Sequence, residues 1–206
     1  MNTIISSATR RGFLKTLAVG AGGYALGSSL LRPKEATGES TEDYLEKIPM
    51  ATRWAITSGN FVYFQISDNK ALFDKLGQEK YNEFKKKTGL ASGARNKKNA
   101  ETFGFTGDDA KSVAAMATAL VIMYYGPTQQ LEIFDATSEK ASVKCPNCAY
   151  WNTVQARKIT DDTCSAWSQY WWEGFVTAMN PKMTLKLVKA RPLGDSICEW
   201  AFILNT

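Results

Sequence analysis

Residues Ala114 to Tyr125 are apolar almost all the way round a helical wheel, and Gly126-Pro127 closes the run. A helix without a polar face has to lie inside the fold, so the remaining segments must cover it from several sides. Thr106-Gly107-Asp108-Asp109 in front of it has the form of a capping box, with Thr106 accepting from the backbone three residues on. Upstream, Met50 to about Ser67 is apolar without a clear period. Asp68 to Lys87 then carries Leu72, Phe73, Leu76, Tyr81 and Phe84 at largely helical spacing, with Gly89 as the expected stop.

After Pro127 the period changes to two. Gln129 to Asp135 and Lys140 to Cys145 read as a pair of strands, the second alternating Ala141, Val143 and Cys145 with Ser142 and Lys144. A helix is expected from about Asp162 to Asn180, with Cys164, Trp167, Trp171 and Phe175 on one face. Thr184 to Ala190 and Ile197 to Leu204 then read as a closing hairpin around Pro192-Leu193-Gly194-Asp195. The pattern predicts an α+β domain, a helical N-terminal half packed on an antiparallel sheet, in the order helices-β-β-α-β-β.

The formal charge of +5 is concentrated at the start: Arg10, Arg11 and Lys15 fall in the first 27 residues, where there is no Asp or Glu. The +2 that is left gives no reason to expect nucleic acid or an anionic membrane as partner. Thr9-Arg10-Arg11-Gly12-Phe13-Leu14-Lys15, followed by a Gly- and Ala-rich apolar stretch to Leu31, resembles the twin-arginine export signal of bacteria and archaea. That stretch falls short of the roughly 20 apolar residues a membrane-spanning helix needs, which predicts an export signal over 1–31 and no permanent membrane span. Residues 32–40 read as a Pro-, Gly- and Ser-containing linker, and 41–206 as the folded domain. The signal implies a periplasmic or other extracytoplasmic location and, since this route carries folded proteins, a bound cofactor or a co-exported protein partner.

The basic segment Lys80, Lys85, Lys86, Lys87, Arg95, Lys97 and Lys98 has two readings, a carboxylate-binding patch or a solvated helix face. The second is the expectation.

The chemistry-bearing residues are the four cysteines, Cys145, Cys148, Cys164 and Cys198, in the spacing C-x2-C-x15-C-x33-C, beside five of the six tryptophans. With no histidine in the chain, a metal site must use thiolate and carboxylate. Cys145 and Cys148 have the turn spacing that grips one ion, Cys164 and Cys198 would complete the set, and zinc is the ion such a set takes. Three other readings stand beside it. Cys145 and Cys148 could be a dithiol or disulfide; Cys164, near a helix start, could be a nucleophile with Asp161 or Asp162 as proton acceptor; all four could be core residues.

The stretch VKCPNC, the Cys164-containing helix, Asn180-Pro181-Lys182 and the hairpin with Gly194-Asp195 and Cys198 resemble the L-2-amino-thiazoline-4-carboxylic acid hydrolase family. The last helix and hairpin also resemble the 4-vinyl-reductase-type ligand-binding domain, whose further cysteine near position 190 is here Ala190. The first resemblance implies hydrolysis of a C–N bond in a small carboxylated heterocycle or amide at a cysteine-lined pocket. It assigns Cys164, Asp162 and Asp195 to catalysis, and Lys182 or Arg191 to the substrate carboxylate. The alternative is a non-catalytic subunit of the same fold that binds a small molecule or metal beside an exported enzyme.

Overall fold

The structure, a computed structural model, describes residues 45–205. The signal and linker expected over 1–31 and 32–40 lie outside them. Helix α1 (Met50–Thr102) is long and is broken once, at Gly77. There φ is +73°, a conformation that glycine reaches without the Cβ clash other residues meet. Helix α2 (Ala110–Tyr125) follows, then strands β1 (Gln130–Phe134) and β2 (Lys140–Asn147), helices α3 (Ala149–Ala156) and α4 (Ser165–Met179), strand β3 (Met183–Lys189), a single 3-10 turn (Arg191–Leu193) and strand β4 (Cys198–Leu204).

The domain is α+β as expected, with one antiparallel sheet in the order β1-β2-β4-β3. The element order is α-α-β-β-α-α-β-β, so one helix more than expected stands between the strand pairs. That helix, α3, is eight residues long and begins at Ala149, separated from the end of β2 only by its N-cap Cys148, and it is too short to show a helical period.

Three local expectations change. Asp109, rather than Thr106, caps α2: its carboxylate accepts from the Ser112 N–H at 3.0 Å and from the Ser112 hydroxyl at 2.7 Å. Gly89 does not stop α1, because it lies inside the helix where α4 crosses, and a Cβ there would stand 2.9 Å from Tyr170 Cβ. The basic face is not wholly solvated either. Lys85 is buried, its ammonium over the rings of Trp167, Tyr81 and Phe84 at 5.2, 5.5 and 5.7 Å, an attraction that offsets part of the desolvation.

The apolar run of α2 sits where its composition requires. Val113, Ala114, Ala117, Leu120 and Val121 are buried against the inner face of the sheet and α4. The register of β2 with β4 sets Ala141 opposite Phe202, Val143 opposite Trp200 and Cys145 opposite Cys198, and β3 adds Leu185 and Leu187 beside Phe202 and Trp200. From α4, Trp172 stacks on Trp200 at 5.1 Å and meets Phe202 edge-on at 5.7 Å. Each such side chain contributes about 1.5–3 kcal/mol of burial. A second cluster, Val62, Ile66, Tyr150 and Val154, holds α3 against the first half of α1.

Among the described residues no helix is long and apolar enough to cross a membrane.

Candidate functional site: an aromatic cavity walled by three thiols

Between α1, α2, the sheet and the starts of α3 and α4 lies a cavity of about 330 Å3. Trp167, Trp171, Trp172 and Trp200 form much of its wall, with Phe61, Tyr125 and Tyr150. All of these but the exposed Phe61 belong to the two packing clusters, so the cavity reaches from the core to the surface. Trp200 is 5% exposed, and its indole N–H has no acceptor among the described residues. An unpaired buried donor of this kind costs about 1–3 kcal/mol.

Cys145, Cys148 and Cys164 all line the cavity. Cys145, 1% exposed, sits near the end of β2, where its sulfur accepts from Gln129 Nε2 at 3.2 Å. The other end of the buried Gln129 amide accepts the Ala149 N–H at 2.9 Å, so one side chain ties β2 to the first turn of α3. Cys148 is the N-cap of α3, its sulfur accepting the Trp151 N–H at 3.4 Å. Cys164 occupies the N-cap position of α4.

The thiols are not equivalent. The Cys145 thiol donates to the Asn147 carbonyl oxygen at 3.4 Å. The neighbouring Cys145 side chain first, then the N–H groups of Trp151 and Tyr150 and the charge of Arg191, lowers the Cys148 pKa to about 7 against its burial. The Cys148 side chain beside it, followed by burial, pushes the Cys145 thiol far up. Burial, followed by the neighbouring sulfurs and Asp162, does so for Cys164. Cys198, opposite Cys145 in the sheet, is also raised by burial and accepts the Arg191 N–H at 3.5 Å, but it is not part of the cavity wall. Cys148 is the sulfur best placed to carry charge.

The four cysteines thus fall in one region, and three of them share a cavity. Among the described residues no three His, Cys, Asp or Glu side chains are grouped so as to hold a metal ion. Zinc stays an expectation of the spacing alone.

None of the carboxylates named from the sequence lines the cavity: Asp162 and Asp195 accept backbone N–H groups, and Asp161 is ion-paired. Asp162 accepts the N–H groups of Cys164 at 3.2 Å and Ser165 at 2.9 Å, at the start of α4. Asp195 accepts the Ala190 N–H at 2.8 Å inside the hairpin turn. Asp161 pairs with Lys70 at 3.3 Å. Arg191 donates to the carbonyl oxygens of Pro146 at 2.6 Å, Ser196 at 3.0 Å and Cys145 at 3.4 Å, which braces the end of β2 before Cys148. Lys182 does not line the cavity.

The cation that does line it is Arg95, from the basic segment of α1. It is exposed and has no hydrogen-bond or ion-pair partner among the described residues. It therefore stands where the cavity meets solvent. Beside it Asn96, Asn99 and Tyr124 form a closed set: Tyr124 donates to Asn96 Oδ1 at 2.6 Å, and Asn99 donates to Asn96 Oδ1 at 2.9 Å and to Tyr124 at 3.0 Å. Nothing in the charge run separated Arg95 from its lysine neighbours; only the long helix crossing α4 turns it to the cavity edge.

No family model matches the chain, and no curated protein does. Solved structures do. One is a trafficking protein particle complex subunit 3 from Naegleria fowleri covalently bound to palmitic acid, with a TM-score of 0.55 and 12% sequence identity over 73% of this chain and 96% of that one. At that identity the likeness is one of fold.

Proposed function

We propose that the domain binds a small apolar carboxylic acid, with the hydrocarbon or aromatic body inside the tryptophan-walled cavity and the carboxylate on Arg95. The observation that carries this is an aromatic cavity whose solvent edge holds an arginine with no partner among the described residues. Its 330 Å3 lies at the small end of ligand sites, roughly 300–1,000 Å3. The orphaned Trp200 N–H supplies a donor that a ligand oxygen or nitrogen would satisfy. The trafficking subunit of similar fold is bound to palmitic acid, which puts an apolar acyl ligand within reach of this architecture.

A binding role also fits the carboxylates, since Asp162 and Asp195 are occupied by backbone N–H groups. The second reading is the hydrolase. Cys148, with its lowered pKa and its place on the cavity wall, favours it as the nucleophile in place of Cys164. In both readings the molecule in the cavity is a small carboxylate.

Titration of the full chain with decanoate or indole-3-acetate, followed by tryptophan fluorescence, tests the proposal. Saturable quenching is expected, with affinity falling about tenfold in Arg95→Met, the loss of one charge-assisted contact. The primary amide of the same acid should bind wild type and R95M alike. Equal affinity of acid and amide for wild type overturns the proposal. Turnover of a cyclic amidine carboxylate that disappears in Cys148→Ser would establish the hydrolytic reading instead.

A further inference from the structure

The pairing of Cys145 and Cys148 has chemistry of its own. The two sulfurs stand three residues apart, at the end of β2 and the N-cap of α3, tied by the Gln129 amide, which donates to the Cys145 sulfur at 3.2 Å and accepts the Ala149 N–H at 2.9 Å, and both cysteines line the cavity. Their environments differ in the way a dithiol exchange site requires. Cys148 is half-buried, at a helix start, and its sulfur accepts the Trp151 N–H at 3.4 Å. Cys145 is fully buried behind it, held by Gln129. An incoming reagent meets Cys148 first, and Cys145 waits within reach of the Cys148 sulfur.

We infer that Cys148 and Cys145 are a redox-active dithiol, oxidised by low-molecular-weight disulfides to a Cys145–Cys148 bond in the cavity wall. In the first step the Cys148 thiolate attacks one sulfur of the small disulfide. That S–S bond breaks, and the departing thiolate takes a proton from solvent, leaving a mixed disulfide on Cys148. In the second, the Cys145 S–H gives up its proton to solvent and its sulfur attacks the Cys148 sulfur, expelling a second small thiolate that is protonated in turn. The protein loses two electrons and two protons, and the small disulfide is reduced to two thiols. Cys164 and Cys198 take no part. Cys164 lines the cavity from the start of α4, and Cys198 lies behind Cys145 with its sulfur facing the Arg191 N–H.

This inference stands apart from the carboxylate proposal, since it needs no acid in the cavity and leaves Arg95 untouched. The test is incubation of the reduced full chain with 2-hydroxyethyl disulfide, acid quenching, alkylation and mass spectrometry of the tryptic peptides. Cys145 and Cys148 fall in one such peptide, Cys145 to Arg157, while Cys164 and Cys198 fall in others. In wild type the first peptide should become lighter by two hydrogens, with Cys164 and Cys198 alkylated. Cys145→Ser should accumulate the hydroxyethyl adduct on Cys148, and Cys148→Ser should show neither product. Should C145S not fold, wild type quenched at short times must carry the adduct on Cys148 rather than Cys145. A linkage mapped to Cys164 or Cys198, an adduct that appears first on Cys145, or a folded C145S without adduct overturns the inference.

Discussion

Gly93 lies against Trp171 so closely that a Cβ on it would stand 2.0 Å from the Trp171 carbonyl oxygen and 2.7 Å from the Phe175 N. Backbone meets backbone here, and Gly174 makes the reciprocal approach, its would-be Cβ 2.2 Å from the Leu90 carbonyl oxygen. This crossing of α1 over α4 brings Arg95 and Trp167 to one cavity. Gly93→Ala has no flexible neighbour to displace, so it should destabilise the domain by about 1–3 kcal/mol, as overpacking does. Gly59, also in α1, has nothing within 4 Å of its would-be Cβ. Gly59→Ala should instead stabilise by about 0.5–1 kcal/mol, the helix-propensity gain. Urea unfolding of the two variants beside wild type checks both signs at once.

The carbonyl of Thr163 collects three donors from two elements, α1 and α3. Tyr81 donates at 2.7 Å, Tyr150 at 3.3 Å and Asn69 at 3.4 Å, all buried. This knot fixes the chain just before Cys164 against α1 and α3. Tyr81→Phe keeps the ring and leaves the carbonyl two donors, so its cost should be only about 1 kcal/mol. Asn69→Leu strips one donor from the carbonyl and the Asn69 N–H from the Tyr150 hydroxyl at 2.9 Å, and should cost more. Thermal unfolding of both variants measures the difference.

Cys148 should titrate near neutrality. Its folded pKa of about 7 lies below that of an unfolded thiol, near roughly 8.5. The group therefore adds stability that is complete above the unfolded value and lost as pH falls through about 7. The thiolate is the nucleophile, so alkylation by iodoacetamide should rise with pH through the same value and then level off. Cys145→Ala removes the first cause of the shift, and the inflection should move upward. Alkylation rates between pH 5 and about 9, read from fragment ions that separate Cys148 from Cys145 within their shared tryptic peptide, report the midpoint for Cys148 apart from the other three cysteines.

Much of this site could be read from residue order, and what could not has identifiable causes. The buried α2, the four strands and the inward side of Cys145 follow from runs and alternation long enough to carry a period. The short α3 does not, and with it went the N-cap position of Cys148. Gly89 and Gly77 have the same letter and opposite roles, one a close contact inside a helix and the other its break, and only the tertiary crossing distinguishes them. Asp162 stands out beside Cys164, and Asp195 through the family resemblance, yet short acidic side chains near helix starts and turns find backbone N–H groups first. Arg95 and Gln129 carry no local signal, because each gains its role from residues more than fifteen positions away.

The occupied carboxylates give the sharpest separation between a structural and a chemical role. Asp195 bridges the hairpin by accepting the Ala190 N–H at 2.8 Å, and Arg191 next to it reaches the Cys145 and Pro146 carbonyl oxygens. Asp195→Ala leaves that N–H without its acceptor and should cost about 1–2 kcal/mol. Asp162→Ala should behave alike at the start of α4. Because neither carboxylate lines the cavity, affinity for an apolar acid should stay within about twofold of wild type, under 0.5 kcal/mol, at temperatures where the variants are folded. Unfolding midpoints paired with decanoate titrations on the same samples test this: a lower midpoint with unchanged affinity is the expected result, and a loss of affinity in a folded variant would place the carboxylate in contact with the ligand.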